Sequence, residues 1–334
     1  MSNIKFGVRL WNQILPNTQS FLPDFQVFKR TALECERLGF HSVWMYDHLM
    51  LSESLHKQSV SKGLYDHFYL PKSTMECMVT ITTLAAITKK IRIGTLALSI
   101  PFRNPGLVAK MLATIDVVSN GRLEVGMGAG GDEAEGKAYG IEYLDLTSRI
   151  AQLEEAIEII KELWQKKKAS YHGSYWSLRE AECEPKPVQT PHPPITIAGG
   201  SPSIIRIMAK RADRCNFPTV WSMKLRRYQS RLDLLRKYCD EAGRDFDDIE
   251  KSANLPVLIG RDKRELSRQL SKWKPPNVPL NEYEKATVTG TAEDISEKIS
   301  AFVKLGVSFF MLKFQDMPEM KGLRIFAEEI MRNF

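Results

Sequence analysis

Cysteine is scarce and unpatterned in this chain: five residues in 334, Cys35, Cys77, Cys183, Cys215 and Cys239, an odd number with no C-x-x-C pair. That excludes a disulfide framework and signals no zinc site, so the five read as reduced, packed thiols. No apolar run approaches the roughly 18 residues of a membrane helix, and the opening MSNIKFGVRLWNQ lacks an apolar signal core. The expected location is cytoplasmic, with no membrane partner. His41, His56, His67, His172 and His192 show no ligand spacing, so no metal site is expected. A chain with 43% hydrophobic and 26% charged residues is neither disordered nor too polar to bury a large core.

The net charge of +7 is concentrated in one place. Between Ser203 and Lys237 ten lysines and arginines face only two acids, Asp213 and Asp233, while the rest of the chain is close to neutral. No nucleic-acid module accompanies this segment, so nucleic acid is not an expected partner. The segment reads as a solvated helix face or as an anion-binding rim.

Along the chain, short apolar runs alternate with helical patterns. Strands are expected at 5–10, 42–46, 91–98, 123–126, 195–198, 214–217, 249–260 and 307–314, each followed by a helix with apolar residues at 3.6 spacing. Thr291 with Asp294 three residues on resembles a capping box and opens one of these helices. A small hairpin at 171–178 and the Pro-rich CEPKPVQTPHPP interrupt the rhythm. Eight strand–helix units with fully apolar strands imply a parallel sheet closed into a (β/α)8 TIM barrel, one domain over 1–334. Its insertions fall at about 49–74, 169–193 and 261–290, and are expected in the strand-to-helix loops.

In such a barrel the chemistry sits just past the C-terminal ends of the strands. That rule selects Trp11, Asn12 and Gln13; Asp47 and His48; Ser99, Phe102 and Arg103; the glycine-rich GMGAGGDEAEG; Gly199, Gly200 and Ser201; Asn216; and further on Trp221. Asp47-His48 is the best acid–base pair, because histidine titrates near neutrality and a carboxylate neighbour can fix its tautomer. Adjacent strand residues point to opposite faces, however, so Asp47 need not touch His48. Gly126, Gly128 and Gly131 formally satisfy G-x-G-x-x-G, but no second strand ending in an acid follows at Rossmann spacing. Gly199-Gly200-Ser201, a strand end running into a helix start, offers free N–H groups and a positive dipole end to a phosphate.

Taken in order, VRLWNQ, WMYDH, IRIGTLALSIPFRNP, TIDVVSNGRLEVGMGAGGDEAEGKAYG, YHGSYWSL, CEPKPVQTPHPPITIAGG and RADRCNFP resemble the luciferase-like monooxygenase superfamily, and most of all its coenzyme F420-dependent oxidoreductases. The resemblance implies a TIM barrel, often a homodimer, with a flavin or deazaflavin at the C-terminal ends of the strands. It implies that Asp47 and His48 lie beside the reactive ring and that Leu96-Ala97 form a non-prolyl cis peptide supporting that ring. It places Ser99, Gly128, Ala129 and Gly130 along the cofactor, Gly199, Gly200 and Ser201 at its phosphate, and Gln13 at a polar position near the ring. Gly131 departs from the pattern: relatives carry Trp there, or a catalytic Glu in the sugar-phosphate dehydrogenases, which argues against glucose 6-phosphate as substrate.

The expectation is therefore an oxidoreductase passing hydride between coenzyme F420 and a small organic substrate, with an FMN-dependent monooxygenase as the alternative. The ring's reactive face is expected towards Trp11, Phe102 and Trp221, with His48 handling the substrate proton. Arg206, Lys210, Arg226 and Arg227 are candidates for the acidic tail of F420. A nicotinamide enzyme, a lyase, and a non-catalytic binding protein are weaker readings. Schiff-base chemistry would rest on Lys313, a poor candidate inside a strand.

Overall fold

The structure is a computed structural model and describes residues 4–10, 25–50, 52–53, 74–217, 225–276 and 278–334. Gln13, Trp11, Asn12 and Trp221 lie outside the described residues, as does most of 49–74.

Twelve strands are present among the described residues: β1 (Lys5–Arg9), β2 (Ser42–Met45), β3 (Arg92–Thr95), β4 (Leu98–Ser99), β5 (Leu123–Gly128), β6 (Ala169–His172), β7 (Ser177–Ala181), β8 (Ile195–Ala198), β9 (Arg214–Phe217), β10 (Glu250–Ile259), β11 (Val288–Gly290) and β12 (Val307–Phe314). β1, β2, β3, β5, β8, β9, β10 and β12 pair in parallel, each with the next, and β12 returns to β1. This is the eight-stranded parallel barrel that the alternation of units implies. β4 continues β3 beyond a break and pairs β5, while β11 pairs the C-terminal end of β10, past the residues that pair β9.

Local chemistry starts the helices where the sequence does. Asn104 Oδ1 accepts the amides of Gly106 and Leu107 (2.9 and 3.3 Å) ahead of helix Pro105–Val118, and Asp145 does the same for Thr147 and Ser148 ahead of helix Leu146–Gln165. The capping box of Thr291 and Asp294 is formed at helix Ala292–Val303. The buried faces follow the expected period: Leu153, Ala156, Ile157, Ile160 and Trp164 form the buried side of the long helix. All five cysteines are buried and unpaired.

The barrel interior is solid. Trp44, Leu96, Phe309 and Met311 fill its middle. Gly7 and Gly94 make that possible, because a Cβ at either would stand 2.6 or 2.4 Å from the Trp44 ring system. Below them, at the N-terminal ends of the strands, Arg214 bonds Glu124 (2.8 Å) and Glu250 (2.6 Å), Lys5 bonds Glu250 (2.9 Å), and Arg92 bonds Glu124. Burial alone would raise Glu124 and Glu250, but Arg214 in particular outweighs it and holds both below the usual carboxylate range.

One expectation changes. The segment 169–193 joins helix Leu146–Gln165 to β8, so it is a helix-to-strand connection that starts at the N-terminal end of the barrel. Its β6–β7 hairpin lies along that helix, where Glu155 accepts the amides of Ser174, Tyr175 and Trp176. Trp273, Val278 and Tyr283 from 261–290 pack with Leu258 of β10 in a small hydrophobic cluster separate from the main core. The closing helix is regular only over Lys321–Ile325 and widens into a π-helical turn over Phe326–Ile330, where Phe326 packs edge-on against Phe6 and Phe314. No helix among the described residues is long and apolar enough to cross a membrane.

Candidate functional site

A cleft of about 320 Å³ opens at the C-terminal ends of β2, β4, β5 and β8. It is lined by Asp47, His48, Leu96, Ala97, Ser99, Phe102, Gly128, Ala129, Gly130, Gly131 and Gly199, and so brings together eleven of the residues singled out from the sequence. Gly200 and Ser201 continue from Gly199 into helix Pro202–Arg211, just beyond that lining.

The floor is the break between β3 and β4, where the Leu96-Ala97 peptide is cis. β5 has to pass this break closely. A Cβ at Gly126 would stand 2.1 Å from Thr95 O, so only glycine fits there. Gly130, at φ +74°, turns the chain at the end of β5, and a Cβ on it would meet Tyr143 Oη and Ser99 Oγ at 2.7 and 2.8 Å. Arg149, in the first turn of the long helix, holds this turn from behind by donating to Ala129 O, Gly130 O and Tyr143 Oη at 2.9–3.0 Å.

Asp47 and His48 diverge as neighbouring residues of an extended chain do. Asp47 is 4% exposed; its Oδ2 accepts the Ser99 amide (2.9 Å) and its two oxygens take a fork from Arg103 (2.7 and 2.9 Å). Arg103 also donates to Glu76 (2.6 Å), which caps helix Cys77–Ile87. Burial opposes the Arg103 charge, yet Asp47 and Glu76 more than compensate and hold the guanidinium protonated more firmly than usual. His48 instead meets Glu135, whose Oε2 lies 2.8 Å from Nδ1. Glu135 belongs to the short helix Glu133–Ala138 that follows the glycine turn, and it is fully buried.

Ser201 caps helix Pro202–Arg211, with its Oγ accepting the Ile204 amide (3.4 Å). Arg231, from helix Leu225–Ala242, reaches over the same turn: a Cβ at Gly200 would stand 2.7 Å from its guanidinium. Burial, then the neighbouring Arg227, hold Arg231 below the usual guanidinium range, a direction that a nearby anion reverses. Of the other basic residues, Arg206 is paired with Glu241 (2.6 Å) and Lys210 with Glu154 (3.7 Å), on the outer faces of their helices. Among the described residues no cluster of metal-binding side chains occurs.

The model of the luciferase-like monooxygenase family matches residues 4–284. The chain belongs to that family. Among its relatives are an F420-dependent glucose-6-phosphate dehydrogenase of Amycolatopsis mediterranei (strain U-32), 26% identical over 78% of this chain and 73% of that protein, and an FMNH2-dependent dimethylsulfone monooxygenase of Pseudomonas putida, 27% identical over 74% of this chain and 77% of that protein. The fold is shared with an F420-dependent secondary alcohol dehydrogenase (TM-score 0.77, 20% identity, 98% of both chains) and a monooxygenase from Streptomyces bottropensis (TM-score 0.79, 21% identity, 99% of both chains). The protein is thus a luciferase-like oxidoreductase acting on small molecules, in a family whose members divide between F420 and reduced FMN.

Glu135 and Arg231 are residues of the cleft region to which sequence reading assigned no role of their own. Glu135 stands four residues beyond the last glycine of the turn, inside the glycine-rich segment that the strand-end rule selects, but nothing local sets it apart from Asp132 and Glu133. Arg231 was hidden among ten basic residues of one segment.

Proposed function

We propose that the chain transfers hydride between coenzyme F420 and a small organic substrate. The residues present fit such a group. Ser99 Oγ is buried in the cleft wall without a hydrogen-bond partner among the described residues, the glycine backbone of 128–130 allows a flat ring to approach, and Arg231 stands over the helix start where a phosphate binds. That triple arrangement carries the reading. When bound, a deazaflavin supplies a ring carbon that gives or takes hydride; the chain supports the ring on Leu96-Ala97 and places His48 to move the substrate proton, with Asp47 held beside it.

The tail of F420 is acidic, and Arg226 and Arg227 are exposed at the start of the helix that carries Arg231. Arg206 and Lys210 leave the set of tail ligands because Glu241 and Glu154 already engage them. Gly131 widens the pocket: a Cβ there would meet nothing within 4 Å, so the place where relatives carry Trp or Glu is open to the substrate. An FMN-dependent monooxygenase is the second reading, favoured by the similarity to the Pseudomonas putida enzyme.

We further propose a homodimer through the exposed apolar residues Val79, Leu107, Val117 and Val118 of helices Cys77–Ile87 and Pro105–Val118. Light scattering of the wild type and of Val79→Glu tests it, since a monomeric wild type removes the proposal.

The deciding measurement for the cofactor is a fluorescence titration of the purified protein with F420 and with FMN. Tight binding of F420 alone, weakened by Arg226→Glu with Arg227→Glu, supports the first reading. Binding of reduced FMN alone supports the second, and binding of neither overturns both.

A further inference from the structure

We infer that Glu135 is a positioning residue that decides which nitrogen of His48 carries the proton and which faces the cleft. The inference rests on the oxidoreductase reading only for its consequence in turnover; the tautomer itself is a property of the protein alone.

The two oxygens of Glu135 have different partners. Oε1 accepts the backbone amides of Leu49 and Met50, the latter at 3.2 Å, and Oε2 faces His48 Nδ1 at 2.8 Å. Backbone amides only donate, and a carboxylate only accepts. With all three neighbours satisfied at once, Nδ1 bears a hydrogen and Nε2 is left as the lone-pair nitrogen for the cleft. When Nε2 takes a proton from a substrate hydroxyl, the imidazolium forms against a carboxylate already in place; when it gives the proton back to a carbonyl oxygen, the same contact remains. Asp47 is not available for this role, because Arg103 and the Ser99 amide occupy its oxygens.

The surroundings hold Glu135 in this position. Asp132 caps its helix by accepting the Glu135 amide (3.4 Å), and Gly136 lets that helix lie on the Tyr143 ring, where a Cβ would approach to 2.5 Å. The other side of the Leu49 peptide is fixed as well: its carbonyl accepts from Thr74 Oγ1 (2.9 Å) and Tyr139 Oη (3.2 Å). A charged, fully buried side chain is thus shared between His48 and the root of the 49–74 insertion.

Glu135→Gln separates this role from bulk. Glutamine has one acceptor oxygen and one donor NH2 group in the same shape. The two amides claim the oxygen, the NH2 group turns to His48 Nδ1, and the imidazole shifts to the Nε2–H form. With only six histidines in the chain, nitrogen-15 spectra of labelled protein, assigned by the loss of a signal in His48→Asn, read the tautomer without any cofactor. The expected result is Nδ1–H in the wild type and in Glu135→Asp, Nε2–H in Glu135→Gln, and a fall in kcat of about tenfold or more in Glu135→Gln with cofactor Kd within about twofold. Nε2–H in the wild type, or an unchanged tautomer in Glu135→Gln of wild-type melting temperature, overturns the inference. A tautomer switch in a protein that turns over with neither F420 nor FMN upholds it and overturns the proposed activity instead. Should Glu135→Gln fail to fold, Glu135→Asp carries the test: a shorter carboxylate that keeps Nδ1–H and restores at least part of kcat supports the role, and one that loses Nδ1–H removes it.

Discussion

Asp47 and Arg103 form a two-pronged ion pair at the rim of the cleft, Nη1 to Oδ2 at 2.7 Å and Nη2 to Oδ1 at 2.9 Å. The aspartate is almost wholly buried, and Arg103 is the cation that offsets both Asp47 and Glu76. Removing a single partner of such a pair strands a buried charge. Arg103→Met is therefore expected to lower stability by about 3–5 kcal/mol in urea unfolding, and Arg103→Lys to recover only part of it because an ammonium has no fork. Asp47→Asn with Arg103→Met together should cost less than the sum of the two alone; additive losses would mean that the pair is not coupled.

Gly126 and Gly128 line the same strand but differ in what surrounds them. A Cβ at Gly126 would press on the Thr95 carbonyl, which is backbone and cannot swing aside, whereas one at Gly128 would make ordinary contacts from 3.5 Å. Gly126→Ala is expected to destabilise the protein by at least about 2 kcal/mol, and Gly128→Ala by less than about 1 kcal/mol. Thermal melts of the two variants side by side test this, and equal melting temperatures would show that the β3–β4 break yields to β5.

His41, at the foot of the barrel against Phe309, is held to about 4 chiefly by burial, with the Glu124 charge working the other way. A folded-state value below the ordinary 6.5 means that the unfolded chain takes up the proton first. Stability is unaffected above about pH 6.5, falls as pH drops from there towards 4, and levels off below; the full effect of this one group is up to about 3 kcal/mol. His41→Gln should flatten that part of the pH–stability curve in urea titrations, and a curve as steep as the wild type's would assign the effect elsewhere.

Arg231 should distinguish ligands by their phosphate. Arg231→Met is expected to weaken FMN or F420 about tenfold or more while leaving riboflavin, which has no phosphate, nearly unchanged. Fluorescence titration with FMN and riboflavin reads the difference directly. Equal losses for both would place Arg231 at the ring or in the general fold.

The barrel and much of its mouth were legible because they rest on local patterns. Eight apolar runs separated by 3.6-period segments count strands wherever the helices lie, and the Thr291–Asp294 box spells its own helix start. The Leu96-Ala97 cis peptide came through similarity of motif. What stayed hidden depends on contacts between distant residues. The Glu135–His48 contact spans 87 positions and Arg103–Asp47 spans 56, and nothing in either stretch alone announces its partner. The basic segment shows the same limit: the sequence presents Arg206 and Lys210 as bare cations, and only the fold sets Glu241 and Glu154 beside them. The cluster of Trp273, Val278 and Tyr283 was not legible because the three show no period, being spread over two short helices and the segment between them.

Trp44 and the aromatic and aliphatic side chains around it have one more consequence. With the barrel filled at mid-height and closed below by paired charges, the described residues leave no way to the cleft floor along the barrel axis from the N-terminal side.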